Sequence, residues 1–175
     1  MLSLFPQTPA PIGLRPPAAG LLLALFFVLI SISCSRIDLY EKVDTIPAYQ
    51  WKSSYRPRFQ FEIKDTAAPY QLFLIFRHND RYNYNNLWLN IYTQTPGSKA
   101  PAKVQYEIPL ATNEKGWLGS GLDDLYEHRV ALTPATQKFY FRQPGLYTFT
   151  IEHIMREDPL ANAMNVGLRL EKKQP

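Results

Sequence analysis

The sequence predicts an all-β fold: two antiparallel sheets packed as a β-sandwich of the jelly-roll kind, with one short helix. Three observations predict it. Short segments alternate apolar and polar side chains at period two. Aromatic and β-branched residues crowd those segments, and clusters of Gly, Pro, Asn and Asp fall between them.

Residues 1–33 stand apart. Arg15 is the only charge before the apolar run from Leu21 to Ile32. A bilayer core of about 30 Å needs roughly 20 apolar residues as a helix, so this run is too short to span. A charged flank, a short apolar stretch and the small residues Ser31 and Ser33 form a secretory signal pattern. Cys34, the only cysteine, sits where cleavage makes it the first mature residue. The pattern resembles a bacterial lipoprotein signal, although Ser31 stands where leucine is usual. On that reading Cys34 carries the acyl chains, and two or more chains hold a protein stably on a membrane. The alternatives are a buried thiol acting as a small hydrophobe and a free thiol. Ser35 follows the cysteine with no aspartate at that position, and "SRID" lacks an acidic cluster. By the usual Gram-negative sorting pattern this points to the outer membrane, on its periplasmic leaflet.

Cleavage leaves Cys34 to Pro175, the length of a single domain. Residues 34–57 read as a lipidated N-terminus and tether, with Pro47 and Pro57 and little periodicity, and residues 58–175 as the sandwich. In "RFQFEIK", Phe59, Phe61 and Ile63 alternate with polar residues as a half-buried strand. "PYQLFLIFRH" places Leu72, Leu74 and Phe76 on one face and Phe73 and Ile75 on the other, as in a strand covered on both sides. Further strands are expected at "NLWLNIYTQT", "KVQYEIPL", "QKFYFR", "GLYTFTIEHIM" and "NVGLRLEK". The predicted turns lie at 79–86, Pro96-Gly97, 113–116 and Pro144-Gly145. The short helix is expected from Leu122 to His128. There Leu122, Leu125, Tyr126, Arg129 and Val130 have helical spacing, and Asp123 and Asp124 suit a helix start.

The formal charge is +4, and loss of Arg15 leaves +3 with both signs interleaved. That balance is too weak and too mixed for a nucleic-acid surface. No nucleophile elbow or phosphate-binding glycine loop occurs, so no cofactor is expected. His78 and His153 fall in phase with core residues and His128 near the end of the helical segment. None has the paired spacing of a histidine metal site, so each reads as a hydrogen-bonded, partly buried imidazole and no metal is expected. Asp123 and Asp124 read as helix-start residues, with a carboxylate pair as the other reading. The loop "RHNDRYNYNNLWL" reads two ways. Tyr82, Tyr84 and Trp88 with the surrounding asparagines make a surface suited to a protein partner or a glycan. Alternatively the asparagines only make turns and the tyrosines cover the sandwich edge.

Several segments together carry a resemblance. "YEKVDTIPAYQW", "YQLFLIFRHNDRYNYNNLWLNI", "GWLGSGLDDLYEHRV" and "FRQPGLYTFTIEHIMREDPLANAMNVGLRLEK" are similar to the gliding motility lipoprotein GldH family of the Bacteroidota. Two departures stand out: Asp123 lies where that family carries glycine, and Asn162 or Ala163 where a glycine often follows. The resemblance implies a membrane lipoprotein associated with gliding, with no assigned enzymatic activity and with gliding or secretion proteins as partners. A glycan-binding envelope lipoprotein is the alternative expectation.

Overall fold

The computed structural model describes residues 39–134 and 136–173. The signal segment 1–33, Cys34 and the first part of the expected tether lie outside the described residues. Strands β1 (Leu39–Thr45), β2 (Gln50–Trp51), β3 (Arg58–Ile63), β4 (Tyr70–Asn79) and β5 (Asn86–Gln94) come first. Then follow β6 (Ala102–Pro109), β7 (Ala111–Thr112), β8 (Gly116–Trp117), β9 (Ser120–Leu122) and β10 (Leu125–Ala131). The last are β11 (Gly145–His153), β12 (Leu160–Ala161) and β13 (Ala163–Lys172).

Two antiparallel sheets form the sandwich. One has the order β1-β13-β4-β10-β9 and the other β3-β11-β5-β6, and two short ribbons pair β12 with β2 and β7 with β8. The all-β sandwich is thus as the period-two pattern predicts. Alternation determines which side chains enter the core. From the first sheet come Leu72, Leu74 and Phe76 of β4 and Val166, Leu168 and Leu170 of β13. From the second come Phe59, Phe61 and Ile63 of β3, Leu87, Leu89 and Ile91 of β5, and Tyr147, Phe149 and Ile151 of β11. Phe61 stacks on Tyr147 and Phe149, with centroids 6.4 and 5.3 Å away.

β4 is buried on its inward face and partly covered on its outward one, where Phe73 and Arg77 are half-buried and Ile75 is fully buried. In register Ile75 lies between Arg129 and Gly167. The next outward position along β4, Arg77, pairs with Glu127 at 2.6 Å, and Glu127 also meets Arg129 at 3.6 Å. Long cationic side chains bury their stems against such a face while their heads stay wet.

Three sequence expectations are corrected. No helix covers Leu122 to His128: β9 and β10 form a hairpin whose turn residues are Asp123 and Asp124, and Leu122 is 75% exposed at its end. The helical spacing arose from counting that exposed residue together with the strand that follows. The tether reading of 34–57 fails from Leu39 onward, because β1 runs in full register along β13 from Leu39↔Glu171 to Thr45↔Asn165. "QKFYFR" is not a strand; only Phe139 forms a bridge, to Tyr70.

The departures from the family pattern acquire a reason here. Asp123 (φ 55°) and Asn162 (φ 64°) both have left-handed backbone, the conformation that favours glycine and that Asp and Asn tolerate best among other residues.

Candidate functional site

The residues that sequence reasoning singled out separate into three places. The first is a sealed histidine pair. β4 and β10 are neighbours, with Tyr126 opposite His78 and His128 opposite Phe76, so the two imidazoles meet diagonally on the inner face. His78 Nε2 lies 2.9 Å from His128 Nε2, and His78 Nδ1 lies 2.7 Å from the Asn79 carbonyl oxygen. The carbonyl can only accept, so His78 donates from Nδ1 and receives at Nε2 the proton of His128 Nε2. Trp117 and Tyr82 close over His78 at 4.4 and 4.9 Å between ring centroids. Gly119 is required there, because a Cβ would come within 2.6 Å of the Glu127 carbonyl oxygen and 2.9 Å of His128 Nε2. Burial pushes both imidazoles down, His128 to about 4 with a further contribution from His78. Both are therefore neutral at pH 7.

The second place surrounds His153, which is 1% exposed and packs against Trp51 at 5.2 Å. The expected hydrogen-bonded imidazole is met only in part: neither ring nitrogen has a partner at full hydrogen-bond geometry among the described residues, the Trp51 backbone gives it a weaker polar contact, and the Asp158 carboxylate stands 3.8 Å from Nε2. That carboxylate is engaged elsewhere: the Ser53 backbone N–H donates to it at 2.9 Å and the Ser53 hydroxyl at 2.5 Å. Burial holds His153 below the ordinary imidazole range despite the nearby acid.

The third place is the outward face of the four-stranded sheet. Glu152 is 8% exposed and forms an ion pair with Arg56. The Tyr92 hydroxyl donates to Glu152 at 2.6 Å and the Asn90 amide at 3.1 Å. Burial acts to raise the Glu152 pKa, but these donors and the Arg56 charge outweigh it and hold the carboxyl below its usual range. Beside this network a cleft of about 500 Å³ is lined by Arg56, Arg58, Tyr92, Gln94, Thr148 and Thr150. Sequence reasoning missed it. The alternating polar residues of β3, β5 and β11 mark a solvent face, but which rows lie side by side depends on strand order.

The tyrosine and asparagine loop is divided by the fold. Tyr82, expected on a partner or glycan surface, is 4% exposed and its hydroxyl donates to the Asn86 carbonyl oxygen at 3.1 Å. The loop folds inward because Asn79 and Asn162 tie it back: the Arg81 N–H donates to Asn79 Oδ1 at 3.0 Å, and the Asn162 amide donates to the Arg81 carbonyl at 2.8 Å. Tyr82 is therefore a core residue. Tyr84 packs edge-on against it at 5.9 Å and is half-buried. Trp88 is also half-buried and lies in the outward row of β5 with Asn90 and Tyr92, so the three aromatic residues do not form one stacking platform. Asp123 and Asp124 are exposed in a hairpin turn. Among the described residues no three His, Cys, Asp or Glu side chains gather as a metal site.

Comparison with known proteins yields two full-length relatives. A gliding motility lipoprotein GldH homolog of Christiangramia forsetii is 25% identical over 163 residues, covering 89% of this chain and 96% of the relative. The gliding motility lipoprotein GldH of Flavobacterium johnsoniae is 26% identical over 172 residues, covering 91% and 99%. Among solved structures, a cellulose-specific carbohydrate-binding module, CBM28, matches 75% of this chain and 69% of its own at 14% identity and a TM-score of 0.37. A likeness that distant bears on neither the ligand nor the mechanism. A profile of the GldH lipoprotein family matches residues 38–170, and the chain belongs to that family.

Proposed function

We infer that this protein is a gliding-motility lipoprotein, anchored through acylated Cys34 to the periplasmic leaflet of the outer membrane, where its sandwich serves as a non-catalytic docking module for gliding or secretion proteins. Family membership and the names of both relatives support the motility setting. The side chains that chemistry would recruit have structural employment: His78 and His128 bond to each other, Glu152 holds Arg56, Tyr92 and Asn90, and Asp158 holds Ser53.

The observation that carries the docking reading is strand β6. It pairs with β5 along one edge, and its other edge is the end of the sheet. Val104, in phase with buried Ile108 and half-buried Tyr106, is nevertheless 50% exposed. An edge strand of this length with unpaired main-chain groups is a template for an added strand. Pro101 and Pro109 bracket it and confine pairing to the segment between them.

Replacing Cys34 by Ala tests the anchor. The expected result is loss of the protein from washed membranes and its appearance in the soluble envelope fraction, with gliding impaired. A Cys34→Ala variant that still sediments with membranes after a high-salt wash contradicts acylation as the anchor.

A further inference from the structure

The cleft on the outward face of the four-stranded sheet has a composition that neither the anchor nor the β6 edge requires. Its floor is built from the two interior strands of that sheet. β11 is paired on both sides, to β3 and β5, and β5 on both sides, to β11 and β6. The register sets Thr148 beside Gln94 and Gln60, and Thr150 beside Tyr92 and Arg58. The Gln60 amide donates to the Thr148 hydroxyl at 3.0 Å. Arg56, Arg58 and Lys103 supply three cations around this floor, and the Lys103 ammonium stands 5.8 Å over the Tyr92 ring. The one carboxylate of the network, Glu152, is engaged by Arg56, Tyr92 and Asn90. Glu152 also feels the Lys103 charge at the cleft's margin, whereas Arg58, on the cleft lining, has no carboxylate partner among the described residues. Deeper in the same outward row, buried Asn90 Oδ1 has no partner among the described residues.

We propose that this cleft binds an anionic polysaccharide, with Arg58 as the principal carboxylate or sulfate contact and the Thr148, Thr150 and Gln94 side chains as hydrogen-bond partners of sugar hydroxyls. Charge complementarity selects an anion, and a guanidinium fork matches the planar carboxylate of a uronic acid. The closed backbone selects against a peptide. Every strand of the floor is already bonded to neighbours, so an acidic peptide gains no main-chain pairing there, whereas a chain rich in hydroxyls can use side-chain donors and acceptors alone. The volume, about 500 Å³, lies within the range of ligand clefts. The buried Glu152 network fixes Arg56 and Tyr92 before any ligand arrives, which lowers the cost of ordering them on binding. The proposal is independent of the docking reading, since the β6 edge and the sheet face are different surfaces.

The test is affinity electrophoresis and calorimetry of the detergent-solubilised full chain with polygalacturonate, using dextran as the neutral polysaccharide and poly-glutamate as the polypeptide anion. The expected result is binding to polygalacturonate, weak or no binding to the other two, and a loss of about tenfold or more in Arg58→Gln, the scale of one charge-assisted hydrogen bond. Lys115→Gln removes the same charge from the exposed turn between β7 and β8 and is expected to bind as the parent does. Circular dichroism confirms folding of both variants. Absence of polygalacturonate binding, equal binding to poly-glutamate, or an equal loss in Lys115→Gln overturns the proposal.

Discussion

Replacing Phe76 by Ala is expected to lower the unfolding free energy by about 3 to 5 kcal/mol, the usual cost of deleting a fully buried aromatic side chain. Phe76 is fully buried on β4, which lies between β13 and β10 in the larger sheet. Its ring meets three others, Tyr82 at 5.6 Å, His78 at 5.7 Å and Trp51 at 6.4 Å. It therefore joins the core to the histidine pair and to the loop that Tyr82 closes. A domain of this size is stable by about 5 to 15 kcal/mol, so the variant should be marginal. Urea unfolding followed by tryptophan fluorescence reads the change. Leu146→Ala serves as comparison: Leu146 is 55% exposed, and its loss should cost within about 0.5 kcal/mol. A cost below about 1 kcal/mol for Phe76→Ala would mean that the two sheets do not pack at this residue.

The second large effect is a loss of stability in mild acid. Burial lowers the pKa of His78, His128 and His153 in the folded protein. The unfolded chain therefore binds these protons at higher pH than the native protein does, and stability falls as pH falls. For His128 the window runs from the ordinary value of 6.5 down to about 4. Crossing it removes about 3 kcal/mol, after which the contribution levels off because the native imidazole also protonates. His78 and His153 act in the same direction. The carboxylates with lowered pKa, Glu152, Glu171, Asp65 and Asp158, add their own loss as pH falls below their ordinary range. The histidine part is separable because it begins nearer neutrality. Thermal unfolding at pH 7.5, 6, 5 and 4.5 should show a falling midpoint already between the first two or three values, with a shallower slope in His128→Gln. A midpoint unchanged between pH 7.5 and 5 contradicts the sealed, neutral pair.

Strands with alternating side chains could be read from the sequence because one face of each lies on the core. "RFQFEIK" and "GLYTFTIEHIM" declare themselves through Phe59, Phe61 and Ile63 and through Tyr147, Phe149 and Ile151. β1 was hidden because its pairing with β13 is made by the backbone, and an edge strand such as "LYEKVDT" contributes few apolar side chains to announce it. The β9–β10 hairpin was misread because a two-residue turn places Leu122 and Leu125 three apart, a spacing that a helix shares. The cross-strand pairing of Leu122 with Leu125 and the left-handed backbone of Asp123 resolve the two.

The candidate sites were less legible still. His78 and His128 are fifty residues apart and meet only because β10 lies beside β4. The phase of His78 with Leu72, Leu74 and Phe76 places it correctly in the core, but its partner depends on sheet order. Tyr82 was misplaced for a related reason. The hydrogen bond that Arg81 N–H donates to Asn79 and the one that Asn162 donates to the Arg81 carbonyl turn its loop inward, and composition alone reads such a loop as a surface. The cleft beside Arg58 follows the same rule: its residues come from β3, β5 and β11, and no local motif connects them.

Docking through the β6 edge of the sandwich is tested most directly by site-specific photo-cross-linking in intact gliding cells, with a photoreactive amino acid at Val104 of β6 and, as control, at Glu62 on the opposite edge strand, β3. The account predicts a discrete covalent adduct with an envelope protein from Val104 and none from Glu62. No adduct from Val104, or equal labelling from both positions, would contradict it.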